Sequence, residues 1–367
     1  MSLTAGIIGL PNVGKSTLFN ALCSTEALAA NYPFTTVEAN VGTVMVPDRR
    51  LTALEAIVQP KKTVPTTYEF TDIAGLVKDA HKGEGLGNRF LANIRDVDAL
   101  IHVVRCFSDS NVSHVEGDVN VVRDVEIIET ELMLADLEVI DNRLPKIEKK
   151  ARLKVDKAVT KEYDVLTTVR EALLENKPAR TVALNAFEKA LLKPYGLITD
   201  KPVLYIANVD EDMLPEGAEC IHCKQLENYA QKQGAHVLAL SAKIEAELIE
   251  LDEEDQAEAL AMYDIVETGR DRLIHATYKL LGLSTFFTTE SSELRAWPFT
   301  EGMRAPECAG KIHTDFERGF IRAEVIDFDT LKAIGSLAKA KELGKIRSEG
   351  KGYIMQDGDV VLFRFNV

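Results

Sequence analysis

The segment that most constrains the fold of this 367-residue chain is Gly9-Leu-Pro-Asn-Val-Gly-Lys-Ser16, which matches the pattern G-x-x-x-x-G-K-S. An apolar run, Leu3–Gly9, leads into it, and a helical pattern, Lys15–Leu28, follows. In this order a buried strand feeds a glycine-rich turn whose backbone N–H groups converge on a phosphate, and the next helix adds the positive end of its dipole. The segment therefore predicts a P-loop in an α/β domain.

The side chains of this loop have separate chemical roles. Lys15 supplies a positive charge to the β- and γ-phosphates of a nucleotide, and Ser16 offers a hydroxyl to Mg²⁺. Lys15 is therefore a predicted catalytic group as well as a binding group. The residues of the loop that we expect to hold the nucleotide are Asn12, Val13, Gly14, Lys15, Ser16 and Thr17.

Two further loops are predicted to complete the magnesium and γ-phosphate site. Asp72 follows the predicted strand Thr67–Thr71 and can hold Mg²⁺, while the N–H group of Gly75 can meet the γ-phosphate. Thr36 stands where a switch threonine would close over the metal. The predicted magnesium ligands are therefore Ser16, Thr36 and Asp72, and Gly75 is a second predicted catalytic group.

The residue after Gly75 affects how fast a nucleotide could be hydrolysed. Many GTPases place a glutamine there to orient the attacking water, and this chain has Leu76. Leucine cannot orient water, so either another group does so or hydrolysis is slow. His81 and His114 both stand in predicted loops and are the candidates.

The segment that would recognise the base departs from the usual GTPase pattern. After the predicted strand Val203–Asn208, the residues that would read N-K-x-D are Asn208, Val209, Asp210 and Glu211. A carboxylate accepts both N–H groups of the guanine edge but repels the N1 acceptor of adenine. The departure from the usual motif weakens the case for guanine specificity, but it does not establish that the base is adenine. The residues predicted to contact the base are Asn208, Val209, Glu211, Ser241 and Ala242.

The alternation of apolar strands and helices predicts a mostly parallel sheet with helices on both faces. A helical insertion, with stripes in Glu126–Arg152 and Val165–Leu174, interrupts it. From about Phe286 onward short strand patterns predict a small mixed β domain, with strands at Arg295–Phe299, Lys311–Thr314, Phe320–Ile326, Tyr353–Met355 and Val360–Phe365. The expected domains are 1–126 with 200–282, then 127–199, then 283–367.

Composition limits the partners of the chain. Its formal net charge is −15, so nucleic acid could bind only at a local basic patch. Eight lysines and arginines crowd the stretch Arg143–Lys161, which is either such a patch or a solvated helix face. No apolar run is long enough for a membrane span, and no basic leader precedes the first strand, so we expect a cytoplasmic protein.

The cysteines predict no disulfide framework. Cys220-Ile-His-Cys223 resembles half of a zinc site, but no second Cys or His pair stands nearby at ligand spacing. Free thiols are therefore favoured over a metal site.

With these motifs assembled, the sequence resembles the YchF family, also called Obg-like ATPases, over nearly its whole length. The resemblance rests on Gly9–Thr17, Asn31–Thr36, Asp72–Leu76, His81–Ile94, His102–Phe107, Lys311–Ile326 and Gln356–Val367. It implies a P-loop G domain, an inserted helical coiled coil and a C-terminal TGS domain with a β-grasp fold. It also implies ATP in preference to GTP, an apolar residue in place of the catalytic glutamine, His114 as the group that positions water, and association with ribosomes.

Three functions stay open on the sequence. The first is a Mg²⁺-dependent ATPase switch that binds ribosomes or their RNA, acting as a monomer. The second is a GTPase with relaxed base choice. The third is a nucleotide-gated nucleic-acid-binding protein in which turnover is incidental.

Overall fold

A computed structural model describes residues 3–23, 40–73, 86–109, 112–114, 117–154, 156–214, 220–262, 265–290 and 292–366. The strands are β1 Thr4–Ile8, β2 Asn40–Met45, β3 Lys62–Val64, β4 Thr67–Asp72, β5 Ala99–Arg105, β6 Val203–Asn208, β7 His236–Leu240, β8 Leu283–Glu290, β9 Glu293–Thr300, β10 Phe320–Asp327, β11 Arg347–Glu349 and β12 Asp359–Phe365. The helices are α1 Lys15–Cys23, α2 Arg49–Val58, α3 Leu86–Asp96, α4 Val121–Arg152, α5 Lys157–Leu174, α6 Ala186–Leu192, α7 Ile221–Lys232, α8 Ala242–Ile249, α9 Glu253–Met262, α10 Gly269–Leu280, α11 Ala305–Ile312, α12 Thr314–Arg318, α13 Phe328–Ile334 and α14 Leu337–Glu342.

The chain divides into two compact units, unit 1 (1–42 and 69–273) and unit 2 (43–68 and 274–367). The sheet of unit 1 has the strand order β2-β4-β1-β5-β6-β7. The pairs β1–β4, β1–β5, β5–β6 and β6–β7 are all parallel. Every residue of β5 and of β6 is buried, as expected for central strands covered on both faces. The predicted mostly parallel sheet is confirmed.

The helical insertion of unit 1 is built on α4 and α5. Apolar side chains of both helices form one cluster that includes Ile140, Ile147, Leu166 and Val169. Asn120 and Asp156 cap the first turns, each accepting a backbone N–H with its side chain. No helix in the described part of the chain is both long and apolar enough to cross a bilayer.

Unit 2 is built on a mixed sheet with the strand order β11-β10-β12-β8-β9-β3. Consecutive residues of β8 point to opposite faces, so Phe286 and Phe287 enter two separate apolar clusters. Helix α11 contributes Ala305 and Cys308 to the Phe286 cluster. The sheet is thus covered by apolar contacts on both faces, and the small mixed β fold expected from about Phe286 onward is confirmed.

Two of the strands predicted near the C-terminus are wrong. Lys311–Thr314 lies at the end of α11 and the start of α12, because Pro306 and the hydrogen bond from the Arg304 N–H to the Glu307 carboxylate begin a helix there. Tyr353–Met355 forms only an isolated bridge, between Ile354 and Arg304.

Residues 43–68 pack in unit 2, although the sequence places them with the nucleotide-binding strands. Strand β3 pairs in parallel with β9, so that Lys62 lies opposite Glu293. Helix α2 adds Leu51 and Leu54 to the apolar cluster of Phe287. Only these long-range contacts reveal that the segment belongs with the C-terminal residues.

Candidate nucleotide site

The predicted site residues lie at the carboxyl ends of β1, β4, β6 and β7, and His114 follows β5, which lies between β1 and β6. In a parallel sheet these ends meet at one edge, which is where α/β proteins bind ligands. The residues that the described part of the chain brings to this edge are Gly9, Gly14, Lys15, Ser16, Asp72, Asn208, Ser241 and Ala242. Thr36 and Gly75 lie outside the described residues, as does His81.

The turn between β1 and α1 requires glycine at two points. A Cβ atom on Gly9 would lie 2.5 Å from the backbone oxygen of Val103. Gly14 has φ +95°, and a Cβ atom there would lie 2.4 Å from Nδ2 of Asn208. Asn12 also has positive φ, at 62°. The backbone of the loop is therefore bent into the tight turn that phosphate binding needs.

Lys15 is held inside the loop in this structure. Its Nζ donates a hydrogen bond to the Leu10 carbonyl at 2.8 Å, and the residue is 8% exposed. Burial lowers the pKa of Lys15, while the nearby Asp72 opposes that shift. A bound polyphosphate would offer this ammonium group a stronger partner than a carbonyl oxygen.

Asp72 fits the part of a magnesium ligand. Its Oδ2 accepts a hydrogen bond from Oγ of Ser16 at 3.4 Å. Its Oδ1 is buried and has no hydrogen-bond partner among the residues that the structure describes. Burial raises the pKa of Asp72, against the opposing effects of Lys15 and Ser16. A buried carboxylate oxygen without a partner, beside a hydroxyl, is a suitable donor set for Mg²⁺.

Asn208 joins three loops at the base-binding end of the edge. Its Nδ2 donates to the Val13 carbonyl at 2.9 Å, and its Oδ1 accepts the Ala242 N–H at 2.9 Å. Both polar atoms of the Asn208 side chain therefore bind neighbouring loops of the protein, and its structural role is to hold those loops together. Beside it lies a cavity of about 340 Å³, lined by Gly14, Thr17, Phe107, Ser108, Asp109, Asn208, Val209, Asp210, Glu211, Ser241, Ala242 and Lys243.

Both carboxylates of the altered motif already have partners within the protein. Oδ2 of Asp210 accepts the Ser108 N–H at 2.9 Å. Glu211 forms an ion pair with Lys243. Val209 is 2% exposed, and its N–H donates to the Leu240 carbonyl at 2.9 Å. The carboxylates that stand where ordinary GTPases bind guanine are thus already paired with Ser108 and Lys243.

His114 lies beside the phosphate loop but is itself fixed. Asn12 Nδ2 donates to the backbone oxygen and to Oγ of Ser113, at 3.3 and 3.4 Å, which brings this loop to the P-loop. The imidazole Nε2 of His114 lies 2.9 Å from Oδ2 of Asp124, and the two side chains are 5% and 4% exposed. Asp124 therefore orients the ring through one nitrogen.

Arg105 is a residue of the site that the sequence interpretation missed. Its guanidinium donates to the carbonyls of Val112 and Asp109, at 2.9 and 3.0 Å, and lies 4.4 Å from the ring centre of Phe107. It therefore holds the loop that carries one wall of the cavity and leads to His114. The available signal was a charged residue at the end of a strand that is otherwise almost entirely apolar.

Comparison with known proteins places this site in a family. Residues 4–208 match the family described as "50S ribosome-binding GTPase", and residues 283–366 match the YchF-GTPase C-terminal family, described as "Protein of unknown function (DUF933)". A protein of Bacillus subtilis, the "Ribosome-binding ATPase YchF", is 53% identical over 367 residues, which is 100% of both chains. This chain belongs to the YchF family. Its Escherichia coli O157:H7 relative of the same name is 48% identical, again over the whole of both chains.

A solved structure agrees with this assignment. The chain superimposes on the Schizosaccharomyces pombe YchF GTPase with a TM-score of 0.88 and 33% identity, covering 99% of this chain and 98% of that one. The two members share the G domain, the helical insertion and the C-terminal domain. The chain is a P-loop nucleoside triphosphatase.

Proposed function

We propose that this YchF chain is a Mg²⁺-dependent ATPase that acts as a nucleotide-controlled switch on ribosomes. The observation that carries the choice of ATP is the engagement of Asp210 and Glu211 by Ser108 and Lys243. A guanine base would have to displace one of these partners before a carboxylate could accept its two N–H groups. Adenine needs no carboxylate and is read by backbone groups of the cavity wall.

The phosphates are held by the P-loop residues Asn12 to Thr17. Lys15 leaves the Leu10 carbonyl and moves to the β- and γ-phosphates, where its charge offsets the charge that develops during hydrolysis. Ser16 and Asp72, together with Thr36, which lies outside the described residues, would hold Mg²⁺, and the ion would supply positive charge for the phosphates. The predicted contact of the Gly75 N–H with the γ-phosphate belongs to this proposal.

His114 is the proposed water-positioning residue. Asp124 fixes one ring nitrogen and so orients the imidazole beside the phosphate loop, where we expect it to position the attacking water. His114→Ala is expected to slow ATP hydrolysis by roughly 100-fold while leaving ATP affinity within about twofold, since general acid–base or positioning groups contribute on this scale. Single-turnover hydrolysis measured beside calorimetric binding separates the two effects. A rate unchanged in His114→Ala would favour a switch whose turnover is incidental.

Ribosome association is proposed from two observations. The B. subtilis and E. coli relatives carry ribosome binding in their names. The junction of α4 and α5 presents five exposed lysines that have no ion pair within the described residues, namely Lys146, Lys149, Lys150, Lys154 and Lys157. Such a cluster suits the phosphate backbone of RNA. We propose a monomer working in the cytoplasm, where ribosomes are.

Calorimetric titration of the full chain with ATP and with GTP, each with Mg²⁺, tests the base preference. We expect ATP to bind about tenfold more tightly, a difference of ~1.4 kcal/mol. The S. pombe relative is described as a GTPase, so the titration with GTP is an essential part of the experiment. Tighter GTP binding would contradict the proposal and would mean that Asp210 or Glu211 releases its partner to read guanine.

The ion pair between Glu211 and Lys243 supplies a variant that sharpens this test. Lys243→Ala removes the partner of Glu211 and is expected to raise GTP affinity relative to ATP affinity. An unchanged ratio in this variant would show that the ion pair does not set the choice of base.

A further inference from the structure

Unit 1 also contains a larger cavity, which we call the α7 groove. Its volume is about 830 Å³, against about 340 Å³ for the cavity beside Asn208, and the two share none of their described lining residues. The groove is lined by the start of α4, the residues that follow α5 and one face of α7. His222, Gln225, Tyr229 and Lys232 lie on that face at helical spacing. A cavity of this size can hold a small organic ligand.

A buried polar network fixes two side chains of the groove. The Tyr229 hydroxyl donates to Oε2 of Glu129 at 3.0 Å, and the Tyr229 ring lies edge-on to Tyr205, with ring centres 6.3 Å apart. Gln233 Nε2 donates to the same carboxylate at 2.8 Å, and Gln233 Oε1 accepts a hydrogen bond from Arg180 at 2.6 Å. Because these contacts fix the Tyr229 ring before a ligand arrives, stacking an aromatic ligand on it costs little side-chain entropy.

The groove is locally basic in a protein of net charge −15. Lys177, which follows α5, and Lys232, on α7, line it, against the carboxylate of Glu126 among its described lining residues. Lys177 forms an ion pair with Glu175 at 2.8 Å, but both side chains are exposed. Since exposed ion pairs contribute little free energy, a bound anion can replace Glu175 as the partner of Lys177. The groove therefore favours an anionic ligand.

His222 adds a hydrogen-bonding group that lacks a partner. Its ring nitrogen Nδ1 is buried and has no hydrogen-bond partner among the residues that the structure describes. A buried polar atom without a partner costs free energy, so most such atoms in proteins have one. A ligand with hydrogen-bonding groups can supply it. The fixed ring, the two lysines and this nitrogen together favour a ligand that is aromatic, anionic and able to form hydrogen bonds.

We propose that the α7 groove binds a nucleoside monophosphate, at a site separate from the P-loop, and that this ligand stimulates ATP hydrolysis. The base stacks on Tyr229, and its polar edge forms hydrogen bonds with side chains of the groove, His222 included. A phosphate monoester carries a charge of about −1.5 to −2 near neutral pH, which Lys177 and Lys232 balance. Glu126 can accept the hydroxyl groups of the ribose, as acidic residues do in dinucleotide sites.

The expected stimulation follows from the first turn of α4. Asn120 and Val122 line the groove, and Asp124 lies on the same turn with its carboxylate 2.9 Å from the His114 ring. Asn120 also caps this turn, because its Oδ1 accepts the Arg123 N–H at 3.1 Å. A ligand packed against the turn restrains it and so holds Asp124 and His114 in place. This effect rests on the proposed role of His114, whereas the binding itself does not.

The first experiment is a calorimetric titration of the full chain with AMP, GMP, CMP and UMP in turn. The P-loop is first saturated with a non-hydrolysable ATP analogue and Mg²⁺, and we expect at least one monophosphate to bind one-to-one. Replacing Lys177 and Lys232 together with Ala should weaken this binding at least about tenfold, because both charged hydrogen bonds to the phosphate are lost. Replacing Lys193 and Lys224 together with Ala removes the same charge from exposed positions outside the groove and should leave the affinity unchanged.

Four results of this titration would overturn the proposal. The first is that none of the monophosphates binds at millimolar concentration. The second is an equal loss of affinity in the two double variants. The third is binding that disappears when the P-loop is saturated, since the ligand would then occupy the site already described. The fourth is inorganic phosphate binding as tightly as the best monophosphate, since the groove would then recognise an anion and not a nucleoside.

The second experiment measures ATP hydrolysis by the full chain with and without the monophosphate that binds best. We expect the rate to rise at least about threefold in the unmodified protein. The variant that lacks Lys177 and Lys232 should keep its basal rate and show no rise. Equal rates with and without the monophosphate would overturn the stimulation. Protein that fails to bind ATP would instead contradict the proposed function, and the binding of the monophosphate would still stand.

Discussion

Lys15 shows how the site depends on a single buried charge. It is 8% exposed and is the cation of the P-loop, so its loss leaves the phosphates without that partner. Lys15→Ala is expected to weaken ATP binding by about 100-fold or more, since hydrogen bonds to charged groups contribute roughly 1.5–3 kcal/mol each. Calorimetry with ATP and Mg²⁺ measures this loss, and Lys224→Ala, at an exposed lysine of α7, is the matched control. Micromolar binding retained in Lys15→Ala would mean that the site has been misidentified.

His102 makes stability depend on pH. It lies on β5, 2% exposed, with its ring centre 5.4 Å from that of Tyr205, and burial lowers its pKa to about 4. An unfolded histidine has a pKa of about 6.5, so between these values the unfolded chain binds more protons than the folded one. Acidification through this window therefore destabilises the protein, by about 2 kcal/mol between pH 7 and pH 5.

Urea unfolding at pH 7 and pH 5 tests the role of His102. His102→Gln should remove this part of the pH dependence, whereas His236→Gln, at an exposed position in β7, should leave it unchanged. The same pH dependence in wild type and His102→Gln would exclude His102 as its source.

At the scale of elements, a buried ion pair within the helical insertion is joined to the sheet by a hydrogen bond. Glu129 of α4 pairs with Arg180, and the two side chains are 6% and 10% exposed. Glu129 also accepts hydrogen bonds from Tyr205 on β6, at 2.6 Å, and from Gln233, at 2.8 Å. Burial alone would raise the pKa of Glu129, but Arg180 and these donors outweigh it and lower the pKa. The stability that the pair contributes is present above the ordinary glutamate pKa and is lost as the pH falls below it.

Removing one partner of this pair should therefore destabilise unit 1. Arg180→Leu leaves Glu129 buried without its counter-ion, and the free energy of unfolding should fall by about 3 kcal/mol. The double variant with Glu129→Gln should recover part of that loss. Urea unfolding of both variants gives the two values. Equal destabilisation of the single and double variants would mean that packing by Arg180, and not its charge, is what matters.

The junction of α4 and α5 is the element proposed to contact RNA. Arg143, Arg152 and Lys161 pair with glutamates, so they contribute less charge to a partner than the five exposed lysines do. Replacing Lys149, Lys150 and Lys154 with Glu, which reverses their charge, should reduce co-sedimentation with ribosomes at least about tenfold at low salt. Reversal of Lys189, Lys193 and Lys224, which are also exposed, changes the net charge equally and should have a small effect. An equal loss of co-sedimentation in the two variants would mean that net charge, and not this surface, controls ribosome binding.

At the scale of the whole molecule, the charge of −15 opposes any general attraction to RNA. Association must then depend on a local surface, and a switch requires that nucleotide state change that association. Co-sedimentation of the full chain with ribosomes should differ by at least about threefold between a non-hydrolysable ATP analogue and ADP. A ligand shifts a conformational equilibrium only if it binds the two conformations with different affinities. Lys15→Ala should remove the difference. Equal retention with both nucleotides would contradict the switch.

Much of the nucleotide site could be predicted from the sequence because its parts are local. The turn from β1 into α1 needs glycines at fixed spacing, and Lys15 and Ser16 follow directly in the chain. Asp72 and Asn208 end apolar strands, and parallel strands bring such ends to one edge whatever the intervening segments are. Periodicity likewise identified α4 and α5. It failed at Lys311–Thr314, where a proline and the cap by Glu307 outweigh a short strand-like pattern.

Other features were decided only by contacts between distant residues. The hydrogen bond from Ser108 to Asp210 and the hydrogen bonds from Arg105 to Val112 and Asp109 join separate parts of the chain, and no local pattern encodes such partners. The packing of residues 43–68 in unit 2 depends on strand pairing across more than 200 residues. The sequence by itself determined which chemistry the phosphate loop can perform, since that depends on residue type and spacing. Only the tertiary structure decided which carboxylates are engaged, since that depends on which groups find a partner in the folded chain.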